Sequence, residues 1–338
     1  MDLNILWFIL IAVLYTGFFI LEGFDFGVGM LLPFVAKEDN ERRAVINTIG
    51  PHWDANEVWL ITAGGATFAA FPHWYATLFS GFYVALFLLL VGLIIRGVAF
   101  EFRSKDDSPR WRSTWDWALF TGSFLGALLF GVAFANLTRG LPIDETMTYT
   151  GGFWYLLNPY SLLGGLFSVA LFLLHGSLFL SLKTTDALQA RVEKLTAKLW
   201  IAAIVLAVLM FGASFVFVDG FAGRLGIALI VPILGLAALA VSYFFSRQEK
   251  FGWAFVMTVA AIALTMVTHF VSLFPNVMLS TTDPAFSLTV YSASSSVYTL
   301  RLMSIVALIF LPILLGYQAW TYWTFRKRVT ADPQHLEY

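Results

Sequence analysis

Apolar residues run along the chain in nine long stretches, at about 4–32, 47–71, 75–102, 115–136, 158–182, 199–219, 224–246, 252–274 and 299–325. A helix needs roughly 20 apolar residues to cross bilayer hydrocarbon, and each stretch meets that length. The pattern predicts an all-α, polytopic membrane helix bundle with about nine transmembrane helices. No Pro- or Ser-rich linker divides it, so residues 1–338 are expected to form a single transmembrane domain. No basic segment precedes the first stretch, which therefore reads as a retained membrane helix and not as a cleaved signal peptide.

Polar residues interrupt this pattern at a few places, and those places concentrate. The second stretch contains His52-Trp53-Asp54-Ala55-Asn56-Glu57-Val58-Trp59. The first carries Glu22 and Asp25, and the third carries Arg96. Ionisable groups at membrane depth are costly and usually face a bundle interior or a water path.

Lys and Arg in the loops set an expected orientation. Connections after the first, third, fifth and seventh stretches, with the C-terminal tail, hold sixteen of them. The opposite connections hold three, Arg139, Arg224 and Arg301. The N-terminus is thus predicted outside and the C-terminus cytoplasmic. Trp111, Trp115 and Trp117, and then Trp320, Tyr322 and Trp323, read as aromatic belts at the inner boundary.

This topology converts sequence position into depth. At 1.5 Å rise per residue, Asp25, Asp54 and Arg96 fall roughly 9–12 Å inside the cytoplasmic boundary. Glu22 and Glu57 lie one turn deeper, each on the same helix face as its neighbouring Asp. Four acids and one arginine are expected in one layer. Arg96 reads as an assembly residue paired with Asp25, since a guanidinium keeps its proton and cannot relay one. One cation cannot neutralise four acids, and a protonatable excess is what a proton relay needs. Trp53 and Trp59 could border a channel or a quinone, or could pack in the core.

Composition narrows the class. The chain is 59% hydrophobic and 12% charged, about half the charge of a soluble domain. Its net charge of −1 gives no case for nucleic acid. With no cysteine, disulfides and thiolate chemistry are excluded. No Walker loop, dinucleotide fingerprint or zinc motif is present. His175 and His269 are isolated in apolar stretches and could be haem ligands, as could Met210, Met257 or Met266. Lone residues of this kind are more often packing or satisfied polar groups. His52 reads as a helix start beside Pro51; His73 and His335 fall in a loop and the tail.

The polar layer belongs to a longer set of motifs. These are Glu22-Gly23-Phe24-Asp25-Phe26-Gly27-Val28-Gly29-Met30, Glu41-Arg42-Arg43, and Gly50-Pro51-His52-Trp53-Asp54 through Leu60-Ile61-Thr62-Ala63-Gly64-Gly65. They continue through Phe79-Ser80-Gly81-Phe82-Tyr83, Arg96-Gly97-Val98-Ala99-Phe100, Arg110-Trp111-Arg112 and Trp115-Asp116-Trp117 to Asn158-Pro159 and Phe274-Pro275. The combination resembles subunit II of cytochrome bd-type quinol oxidases.

That resemblance implies a non-haem subunit paired with a homologous subunit I. Subunit I would carry two b-type haems and one haem d, and quinol would reduce O2 to water there. A small single-helix accessory subunit and a structural quinone are further implications, as is a bacterial or archaeal cytoplasmic membrane. Asp25, Asp54, Glu22 and Glu57 are then candidates for a proton path, Arg96, Trp53 and Asn56 for assembly, and Trp59 for an oxygen route. No metal is expected on this chain. The short connection Asp219 to Arg224 departs from the long outward insertion of some relatives. A purely structural scaffold and a secondary transporter using the acid layer are the competing readings. A transporter should show internal repeats and broken helices at the midplane, and here the repeat is faint.

Overall fold

The computed structural model describes residues 2–218, 221, 227–332, 334 and 336. Most of the connection from Asp219 to Arg224, the first residues of the predicted seventh span and His335 lie outside that set.

The chain opens with α1 (Leu3–Val35), apolar almost throughout and capped by Asp2, which accepts from the N–H groups of Asn4 and Ile5. Next comes α2 (Asp39–Ile49), a polar helix whose Glu41 carboxylate accepts from the N–H groups of Lys37 and Glu38. The predicted second span, 47–71, is therefore not one helix. Gly50-Pro51-His52 forms a turn, and α3 runs Trp53–Ala70. Pro51 has no N–H to continue the ladder from α2, which favours the break there.

The predicted third span, 75–102, is also divided. It comprises α4 (Pro72–Gly81) and α5 (Tyr83–Phe102), separated at Phe82. Pro72 occupies the first turn of α4, where a missing N–H costs nothing. The bundle continues with α6 (Pro109–Arg139), the one-turn α7 (Gly152–Tyr155), α8 (Pro159–Lys183), α9 (Asp186–Phe217), α10 (Ile227–Arg247) and α11 (Phe251–Leu273). A two-stranded antiparallel ribbon, β1 (Asn276–Met278) with β2 (Leu288–Thr289), precedes α12 (Val297–Thr324).

Helix α9 starts at Asp186, well before the predicted 199. Leu188, Val192 and Thr196 are buried at four-residue spacing. Its first turns are thus an amphipathic helix that hydropathy alone does not register as a span. Among the described residues, eight helices are long and apolar enough to cross a membrane. The remaining predicted span, α3, has eighteen residues, and its polar first turns keep it out of that class.

Helices α1 and α8 form the centre. α1 packs against α3, α6, α8 and α11, and α8 also packs against α6 and α9. Gly27 and Gly176 let α1 and α8 meet backbone to backbone: a Cβ on Gly27 would collide with the Phe172 carbonyl oxygen, and one on Gly176 with Gly27 itself. Without a strong hydrophobic drive between helices in lipid, close packing of small residues is a main source of association.

The other extreme is α12, whose only buried residue is Leu300. It is tied near its start by the Trp7 indole, which donates to the Leu300 carbonyl and to Ser304, both at 3.1 Å.

The Lys- and Arg-rich end is held by ions. Asp116, 1% exposed, receives Arg103 Nε and Arg42 Nη1, each at 2.6 Å. Asp39 receives Arg103 Nη2 and Arg112 Nη1, each at 2.8 Å. This network joins α2 to the ends of α5 and α6.

Candidate functional site

Glu22 and Asp25 stand three residues apart on α1, so they share a face. That face meets the first two turns of α3, which present Asn56 and Glu57, and the middle of α5, which presents Arg96. Glu22, Asp25, Asn56 and Arg96 are each 0% exposed. Arg96 Nη1 lies 2.7 Å from Glu22 Oε1 and 2.5 Å from Glu57 Oε1.

This corrects the expected pairing. The counter-ions of Arg96 are the two glutamates, not Asp25. A glutamate has one more methylene than an aspartate, and here Asp25 is engaged elsewhere. Its Oδ2 accepts from Asn56 Nδ2 at 2.6 Å. Asn56 Oδ1 in turn accepts from Tyr322 Oη at 2.9 Å and from Gln318 Nε2 at 3.3 Å. Gln318 Oε1 accepts from the Trp59 indole N–H at 2.9 Å. Asn56 thus joins α1, α3 and α12 through one amide.

Aromatic rings surround the guanidinium. Arg96 lies 5.0 Å from the centre of the Phe26 ring, 5.5 Å from Phe100 and 5.9 Å from Trp53. Trp53 itself stacks on Phe100 with centres 4.7 Å apart. Cations are attracted to such ring faces, more so away from water. Trp59 packs its ring against Gly17, where no Cβ stands in the way.

The structure gathers Glu22, Asp25, Asn56, Glu57, Arg96 and Trp53, but it separates Asp54. That side chain lies on the exposed face of α3 and makes no hydrogen bond or ion pair among the described residues. The helix turn explains this: Asp54 is about 200° around the helix from Asn56 at 100° per residue. Sequence reasoning missed Gln318, and it assigned Tyr322 to an aromatic belt at the inner boundary. Their four-residue spacing puts them on one face of α12, but nothing local says which helix that face meets. Trp320 and Trp323, on the same helix, are exposed.

Several buried polar atoms of the cluster have no hydrogen-bond partner: Asp25 Oδ1, Glu22 Oε2, Arg96 Nε and Arg96 Nη2. Buried groups of this kind are normally satisfied by protein or by ordered water.

The histidines are placed differently. His175 uses both ring nitrogens, Nδ1 with Thr258 Oγ1 at 2.7 Å and Nε2 with the Ile20 carbonyl at 3.1 Å. His269 Nδ1 meets Thr138 Oγ1 at 2.7 Å. Its Nε2 is unpartnered, and the residue lines a cavity of about 150 Å3, below the roughly 300–1,000 Å3 of small-molecule pockets. His52 begins α3 without a side-chain cap and stacks on Tyr322, ring centres 4.3 Å apart. Among the described residues no group of three His, Cys, Asp or Glu could hold a metal ion.

The profile of the family described as cytochrome bd terminal oxidase subunit II matches residues 3–325. The chain belongs to this family. It is 47% identical over 330 residues to cytochrome bd ubiquinol oxidase subunit 2 of Bacillus subtilis (strain 168), covering 97% of each chain. It is 40% identical over 367 residues to cytochrome bd-I ubiquinol oxidase subunit 2 of Escherichia coli (strain K12), covering 98% of this chain and 96% of the relative. A chain of the bd oxidase from Geobacillus thermodenitrificans superposes with a TM-score of 0.81 at 17% identity, over 96% of this chain and 99% of that one. That likeness shows the fold. The buried cluster is therefore a feature of a bd-oxidase subunit II, a multi-pass membrane subunit of an oxidoreductase.

Proposed function

We propose that this subunit II serves a respiratory quinol oxidase in two ways: it stabilises a haem-bearing subunit I, and it supplies acids that bring protons from the cytoplasm to the oxygen-reducing site. Quinol would supply the electrons, and the haems of subunit I would supply the oxygen chemistry. The chain would lie in a bacterial cytoplasmic membrane with its Lys- and Arg-rich end inside. A single-helix accessory subunit is a further partner in this reading.

The observation that carries it is the ratio of charges in the cluster. Glu22, Asp25 and Glu57 converge with one guanidinium, and an isolated charge cannot cross low-dielectric protein cheaply. Arg96 holds the glutamates, and Asn56 holds Asp25 in place. The unpartnered oxygens of Asp25 and Glu22 are where water-borne protons would be received. Asp54, on the exposed face of α3, is assigned to the surface that meets subunit I. The exposed length of α12 flanks α3 and extends that surface.

The test is Asp25→Asn in the assembled complex. It keeps the shape and removes the titrating proton. Normal haem content with slow turnover at saturating quinol is the expected result. Wild-type turnover throughout the neutral pH range would leave a scaffold role alone.

A further inference from the structure

The chain does not leave the bundle where α12 ends. At the Lys- and Arg-rich end it turns back across three other helices. The Phe325 carbonyl accepts from Lys183 Nζ at the end of α8. The Val329 N–H donates to the Lys183 carbonyl at 2.7 Å, and Arg328 Nη1 donates to Gln189 Oε1 of α9 at 3.2 Å. Leu336, 8% exposed, joins the apolar cluster that α1, α2, α8 and α9 build at this end. Its carbonyl accepts from Arg43 Nη2 of α2 at 3.0 Å.

Beneath the start of this segment lies His52. It is 1% exposed, although it stands in the turn before α3. Tyr322 covers one face of the imidazole, and Phe325 meets it edge-on with ring centres 5.8 Å apart. Neither ring nitrogen has a hydrogen-bond partner. One turn further along α3, on the same face, Asn56 holds Asp25. His52, Asn56 and Asp25 thus form a column from this end of the bundle to the acids, and Phe325 closes on its first member.

The cover is weakly held. Arg326, Lys327, Arg328, Thr330, Ala331 and Asp332 are exposed, and Val329 is half-buried. Segments with few buried apolar contacts and exposed hydrogen bonds open locally at small cost, well before the helices beside them. The bonds to Lys183, Gln189 and Arg43 can break while α12 stays in place, because Tyr322 and Gln318 still hold it to Asn56.

Resting on the proton role given to Asp25 above, we propose that residues 325–332 and Leu336 are a strap that closes this end of the column, and that its release admits protons to Asp25. With the strap down, Phe325 and the Lys183–Val329 bond lie over the imidazole. With the strap lifted, the ring nitrogens of His52 are the first polar groups met, and Asn56 and Asp25 follow one turn deeper.

The experiment uses the whole oxidase complex. This chain has no cysteine, so His52→Cys makes the position under the strap addressable by a charged thiol reagent, with labelled subunits resolved by mass. The strap is released in two ways. Val329→Pro removes the N–H that meets Lys183, and Leu336→Asp puts a charge among apolar residues that cannot keep it. Haem content confirms assembly of each variant. Loss of one or two net hydrogen bonds corresponds to about tenfold in the open fraction, so labelling should quicken about tenfold in both released forms. With His52 intact, the same releases should quicken proton uptake from the medium during a single oxygen-reducing turnover, read with an indicator dye. Asp25→Asn should abolish that gain. Unchanged labelling in both released forms would overturn the strap. Faster labelling with unchanged proton uptake would overturn its control of proton entry. Wild-type proton uptake in Asp25→Asn alone would overturn the underlying proton role, a result on which the labelling rates do not depend.

Discussion

Asn56 and Asp25 are joined across α1 and α3 by a 2.6 Å hydrogen bond between two fully buried side chains. The same amide accepts from Tyr322 and Gln318 of α12. A helix with one buried residue is thus held near its far end through the side chain that positions an acid. Asn56→Leu removes three contacts at once: it strands the buried Asp25 carboxylate, at about 1–3 kcal/mol, and releases the half-buried Tyr322 and Gln318. The expected outcome is a looser α12, read as faster proteolysis of the segment after Thr324 in the purified complex. Asn56→Gln should recover part of the protection.

Arg96→Leu leaves Glu22 and Glu57 without their cation. Breaking a buried pair by removing one partner costs about 3–5 kcal/mol. Complex yield and haem d content should fall together. The double variant Arg96→Leu with Glu22→Gln should recover some yield, because it removes one of the stranded charges. Yields and spectra of the two variants side by side check this.

Asp54→Asn separates packing from proton traffic. The side chain is exposed and unpaired within the chain, so substitution should leave the thermal stability of the chain within about 0.5 kcal/mol. Slow turnover in an otherwise normal complex would then report its part in the proton path. Lost association with subunit I would report a contact residue instead.

Gly27→Val drives a branched side chain into the backbone of α8 at Phe172. Overpacking costs about 1–3 kcal/mol where side chains can shift, and here a carbonyl is the obstacle. The variant should fail to accumulate in membranes. Gly64→Ala, at a position where a Cβ meets nothing, should accumulate normally. Immunoblots of membrane fractions compare the two.

The acid layer was legible because two independent patterns met. Loop charges set an expected orientation, and helix rise turned Asp25, Asp54 and Arg96 into a common depth. Which acid faces Arg96 was not legible. Depth is one coordinate of a helix, and rotation about its axis is another. Asp54 and Glu57 share a flank of α3, yet Glu57 reaches inward and Asp54 does not. The break at Gly50-Pro51-His52 was visible as a proline but was absorbed into a span, because apolar residues continue on both sides.

The sequence by itself determined that the chain is a membrane helix bundle, roughly where its helices lie, and that a few ionisable residues sit at membrane depth on the first three spans. Those follow from local composition, since lipid admits long apolar helices and penalises every isolated charge. The tertiary structure decided the partners: Arg96 with Glu22 and Glu57, Asp25 with Asn56, and Asn56 with Tyr322 and Gln318 some 260 residues away. Hydrogen bonds act over about 3 Å, and only the packing of α1, α3, α5 and α12 brings groups from distant parts of the chain within that reach.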